Sequence, residues 1–86
     1  MEFVLSHHAE QEIKRRGIPI EMIRQTMESP EQILPGRGGT KAYQSKFDFG
    51  SGKMYLVRVI VNDNTTPPVV VTTYRTSNIS KYWRID

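Results

Sequence analysis

The hydrophobic period of this chain changes once, and the change falls at Ser29-Pro30. Before it, apolar residues recur at helical spacing; after it, they alternate at period two. Helices first and strands second predict an α+β domain rather than interleaved βαβ units. With 86 residues there is room for one domain, spanning residues 1–86, and for neither a second domain nor a Rossmann nucleotide site. A chain this short buries only about 60–65% of its unfolded surface, so its core is thin. It has no cysteine, which excludes a disulfide framework, a thiolate metal site and a cysteine nucleophile.

Local chemistry marks the helical part. Ser6 is a good N-cap for a helix over His7 to Arg16, with Ala9 and Ile13 on its apolar side. Glu12 and Arg16 are spaced to pair, Lys14, Arg15 and Arg16 suit the negative end of the helix dipole, and Gly17 suits a left-handed stop. Pro19 fits the first turn of a second helix running to about Glu28, with Ile20, Ile23 and Met27 as its stripe. So short a link predicts an αα-hairpin.

The second part reads as a meander. Gln32-Ile33-Leu34 is a brief strand before Pro35, and Gly36-Arg37-Gly38-Gly39 a mobile turn. Tyr43, Ser45, Phe47 and Phe49 alternate with Gln44, Lys46 and Asp48 as on a half-buried strand. Gly50-Ser51-Gly52 marks a hairpin into the strongest strand, Lys53 to Val61, and Val69 to Arg75 forms another. The expected fold is therefore an N-terminal αα-hairpin packed on a three- or four-stranded antiparallel sheet. Phe3-Val4-Leu5 is too short to assign, and the tail from Thr76 is amphipathic.

Charge is uneven. Residues 1–36 carry −2 and residues 37–86 carry +5, for a net +3. A basic C-terminal half suits a polyanion such as nucleic acid, or an acidic protein partner, and equally a solvated surface. No apolar run approaches the roughly 20 residues of a membrane span. The start, Met1-Glu2-Phe3-Val4-Leu5, lacks the pattern of a secretory signal, so the expected location is the cytoplasm.

Few residues suggest chemistry. Arg58 stands mid-strand on the same face as Met54, Leu56 and Ile60, where a guanidinium needs a carboxylate, a polar cavity or solvent. It reads as a phosphate-binding residue, or as an arginine lying over an open sheet. Arg75 closes the next strand; if the two strands pair, the two guanidiniums could converge on one phosphate. His7 and His8, at a helix start, are candidate bases, of which at most one faces a given site. Neither has a histidine at i+4, and Glu12 does not complete a ligand set, so neither a metal nor another cofactor is expected. Tyr74, Tyr82 and Trp83 could stack on bases, although such residues more often fill a small core, and for Trp83 the core is the favoured reading. Arg37, Lys81 and Arg84 add candidate RNA contacts. The glycines at 36–39 lack the Gly-Lys-Ser/Thr ending of a phosphate loop.

The order Ser6-His7-His8-Ala9, Arg16-Gly17-Ile18, Glu28-Ser29-Pro30 and Val70-Val71-Thr72-Thr73-Tyr74-Arg75-Thr76 resembles a family of short bacterial proteins of unknown function. That family in turn resembles the BrnT and RelE superfamily of toxin ribonucleases. The resemblance covers about Leu5 to Trp83. It implies a toxin-like fold, an antitoxin partner, a possible ribosomal target and metal-independent RNA cleavage. The family's His-Ala pair falls on His8-Ala9. The chain departs from the family at Glu12, where a basic residue is frequent. On this reading His8 takes the 2′-OH proton, Arg58 and Arg75 stabilise the phosphorane, and Tyr74 or Lys81 assists the leaving oxygen. The alternatives are a non-catalytic module binding RNA or an acidic protein through a basic sheet face, and a homodimer formed through an exposed strand edge.

Overall fold

The computed structural model describes residues 2–85. Ser6 caps helix α1 (His7–Arg16): its Oγ accepts from the Ala9 N–H at 3.0 Å and donates to the Val71 carbonyl at 2.9 Å. One hydroxyl thus starts the helix and ties it to the sheet. Gly17 ends α1 at φ 62°, a left-handed conformation that costs a glycine little. Helix α2 (Ile20–Glu28) begins after Pro19, which is its N-cap rather than a first-turn residue. Its buried stripe is Ile23, Thr26 and Met27, while Ile20 is 40% exposed.

Four antiparallel strands follow in series: β2 (Gln32–Pro35), β3 (Lys41–Asp48), β4 (Met54–Asn62) and β5 (Val69–Thr76). A fifth strand, β1 (Val4–Leu5), pairs in parallel with Val69 and Val70, giving the order β1-β5-β4-β3-β2. The expected three- or four-stranded antiparallel sheet is thus a five-stranded mixed sheet. Two residues carry no period; β1 is a strand because β5 offers its edge, through Val4 N–H to Pro68 O and Ser6 N–H to Val70 O. The helix pair also differs from a self-packed hairpin. Helix α1 lies chiefly on β5, while α2 lies on β4 and β3. Each helix has an apolar stripe, and the sheet offers more apolar surface than the other helix does.

The core lies between these helices and one sheet face: Ala9, Ile18, Ile23 and Met27 against Tyr43, Val57, Val59, Val61 and Val70. Alternation sends Ala42, Gln44, Lys46, Leu56, Arg58, Ile60 and Tyr74 to the opposite face. There a single helical turn, α3 (Ile79–Tyr82), is held by Gln44 and Gln32, which bond to the carbonyls of Tyr82 and Arg84. Among the described residues, no helix is long and apolar enough to cross a membrane.

Glu12 makes the best-defined ion pair. Its side chain, 12% exposed, accepts from Arg15 at 2.8 and 2.9 Å and from Arg16 at 2.9 Å. These bonds, Arg15 first, lower its pKa from the ordinary 4.5 to about 2. The folded carboxyl titrates below the unfolded one, so its stabilisation is present above pH 4.5 and is lost as pH falls towards 2. Glu12→Gln is therefore expected to lower the melting temperature at neutral pH and to match the wild type near pH 2. Thermal melts across that range check this; a constant gap between the two proteins would refute it.

Candidate nucleic-acid interface

Arg58 is half-buried, and among the described residues its hydrogen-bond partners are neutral. Register places it between Gln44 on β3 and Tyr74 on β5. Its Nε donates to Gln44 Oε1 at 2.8 Å and one terminal nitrogen donates to the Tyr74 hydroxyl at 2.6 Å. The guanidinium carbon lies 4.4 Å from the Tyr82 ring centroid and 5.8 Å from that of Tyr74. The two rings meet edge-on, 6.1 Å apart. Gln44 is fully buried and spends its amide nitrogen on Gln32 Oε1 and the Tyr82 carbonyl. These bonds fix the amide so that its oxygen faces Arg58. The result is a cation oriented by an amide and two phenols, with unspent N–H groups and no carboxylate among the described residues.

An open cleft of ≈ 490 Å³ leads to it, lined by Arg58, Tyr74, Arg37, Thr40 and Ile60 among others. Arg37 comes from the exposed turn Arg37–Gly39, so the glycine-rich segment does bring a second cation to the cleft. On the same face, Lys46 Nζ sits 3.9 Å from the Trp83 ring centroid and Lys81 Nζ 5.2 Å from that of Tyr82. Trp83 lies half-buried outside the main core. Arg84 is exposed, and its backbone is anchored to Gln32. Of the cations in 37–85, only Lys41 reaches a carboxylate among the described residues, Asp63 at 2.8 Å.

Arg75 does not join Arg58. It pairs across the strands with Val57, so it points to the helix face, where its guanidinium carbon lies 4.5 Å from the Phe49 ring centroid and 4.7 Å from that of Tyr55. The expected convergence on one phosphate fails because neighbours on a strand face opposite ways. His8 is exposed in the first turn of α1, across the sheet from Arg58. It also lies at the far end of α1 from Arg75, because Ser6 meets Val71 while Arg16 shares a cleft with Arg75. His8 and Arg16 are eight residues apart, about 12 Å along the helix axis. Among the described residues, the His7 ring has Gln11 as its hydrogen-bond partner, at 3.3 Å. Among the described residues, no three His, Asp or Glu side chains gather to share a metal ion.

A family model for a domain of unknown function, DUF4258, matches residues 5–75. The chain belongs to the DUF4258 family. The match runs from β1 to Arg75 and so includes Gln44, Arg58 and Tyr74. It stops before α3, so Tyr82, whose ring lies against Arg58, stands outside the matched span, as do Lys81, Trp83 and Arg84. No curated protein and no solved structure matches the chain. Gln44 is the residue that sequence reasoning missed, because alternation alone marks it as one more polar side chain.

Proposed function

We propose that this DUF4258 domain is an RNA-binding module whose sheet face takes single-stranded RNA. The observation that carries the reading is Arg58, a half-buried guanidinium whose hydrogen-bond partners among the described residues are neutral, open to a cleft and flanked by tyrosine rings. A fixed guanidinium fork suits a backbone phosphate, and rings beside cations suit unstacked bases. An acidic peptide would use the charge but not the rings. The resemblance to toxin ribonucleases points to the same class of ligand. Binding, rather than cleavage through His8, is favoured because His8 lies across the sheet from Arg58.

A second reading keeps cleavage without His8. The Tyr74 hydroxyl touches Arg58 at 2.6 Å, which sets a group able to transfer a proton beside one able to stabilise a phosphorane. In-line attack by the 2′-OH would form the O2′–P bond and break the P–O5′ bond; the Tyr74 phenol would give its proton to the departing 5′-oxygen and solvent would take the 2′-OH proton, leaving a 2′,3′-cyclic phosphate and a 5′-OH.

The test is a titration of labelled single-stranded RNA in EDTA, followed by anisotropy. Arg58→Gln is expected to weaken binding at least tenfold. Arg58→Lys should recover only part of it, since an ammonium lacks the fork. His8→Ala should bind as the wild type does. Equal affinities for the wild type and Arg58→Gln would rule the reading out. A cyclic-phosphate product in the same tubes, lost in Tyr74→Phe, would favour the cleavage reading over simple binding.

A further inference from the structure

The edge of β5 is free over half its length. Strand β1 covers Val69 and Val70, and the outer side from Thr72 to Thr76 has no strand partner among the described residues. On the helix face of this edge lies a second open cleft of ≈ 460 Å³, lined by Arg15, Arg16, Tyr55, Arg75, Thr76 and Ser77. Glu12 holds Arg15 and Arg16, whereas Arg75 has no carboxylate partner among the described residues. The cluster of Glu12, Arg15, Arg16 and Arg75 therefore keeps two surplus positive charges. Phe49 and Tyr55, themselves edge-on at 5.1 Å, flank the Arg75 guanidinium and leave its N–H groups for the cleft. Arg16 closes the gap between the two faces: its guanidinium carbon lies 6.0 Å from the ring centroid of Tyr74, the same ring that Arg58 touches. Arg16 and Arg75 line one cleft, so a series of cations and rings leads from Arg58, past Tyr74 and Arg16, to Arg75.

We infer that one RNA strand turns around the free edge of β5, with one backbone phosphate on Arg58 and another, on the helix face, on Arg75. This rests on the RNA reading of the Arg58 cleft and extends it to a second site and a path. The path selects single strands. A duplex, stiff over roughly 150 base pairs in the case of DNA, cannot turn around the edge of one sheet.

The experiment measures affinity against salt for a single strand long enough to span both faces. The proteins are the wild type, Arg58→Gln, Arg75→Gln and Ser77→Asp. Each lost phosphate contact should reduce the slope of log K against log salt by about 0.7. Arg75→Gln is expected to show that reduction and to bind several-fold more weakly. Ser77→Asp adds a carboxylate at an exposed position lining the second cleft, so it should weaken binding several-fold with an unchanged melting temperature. A duplex of the same sequence should bind worse than the strand. If Arg75→Gln and Ser77→Asp both bind as the wild type does while Arg58→Gln weakens, the edge path is wrong and the Arg58 site stands. A duplex binding as tightly as the strand also overturns the path. If Arg58→Gln has no effect either, the RNA reading itself fails.

Discussion

Gln44→Glu is expected to reduce RNA affinity at least tenfold without touching a cation. Gln44 is fully buried, and its amide oxygen accepts from Arg58 Nε at 2.8 Å. A carboxylate of the same shape would accept that bond and add a full negative charge. Arg58 would become half of an ion pair, and the charge offered to a phosphate would fall from one to about zero. The same change removes the donor that now bonds Gln32 Oε1 and the Tyr82 carbonyl. Two acceptors would then face a carboxylate, so α3 should loosen and the melting temperature should fall. Gln44→Met separates the two effects. It removes the acceptor and the donor but adds no charge, so it should cost about 1–3 kcal/mol of stability while retaining affinity within a few-fold. Anisotropy titrations and thermal melts on both variants check this. Wild-type affinity in Gln44→Glu would mean that binding does not depend on the charge of Arg58.

What the sequence revealed depended on whether the determinant was local. Helix α1 was legible at both ends because Ser6 and Gly17 act on their own neighbours. Arg58 was legible as an oddity, a guanidinium in an apolar strand. Its partners were not, because Gln44 and Tyr74 meet it only through register. The same blindness explains the misplaced Arg75. Arg58 faces Tyr74 and Val57 faces Arg75, so the two arginines fall on opposite faces. A shift of one residue in that register would have put them together. Strand β1 was out of reach for a related reason: two residues hold no pattern, and their conformation is set by an edge some 65 positions away. The aromatic partners of Arg75 were hidden too, since Phe49 and Tyr55 stand on either side of a hairpin that had to be folded first.

Ile23→Ala should be the most destabilising single truncation on α2. Ile23 is fully buried in the core against β4 and β3, whereas Ile20, one turn earlier, is 40% exposed. Truncating a buried isoleucine costs about 2–5 kcal/mol, through lost transfer energy and the cavity left behind. Against roughly 0.05–0.15 kcal/mol per residue, an 86-residue domain holds about 4–13 kcal/mol in all. The variant should therefore lose a large share of its stability, with a fall in melting temperature of about 10–30 °C. Ile20→Ala should move it by only a few degrees. Urea melts should give an unchanged slope and a lower midpoint for Ile23→Ala. Similar melts for the two variants would mean that α2 is not docked through this stripe. Helix α2 lines neither the Arg58 cleft nor the Arg75 cleft. At a temperature where Ile23→Ala remains folded it should thus bind RNA as the wild type does, and a loss of affinity there would show that one of these clefts depends on how α2 is packed.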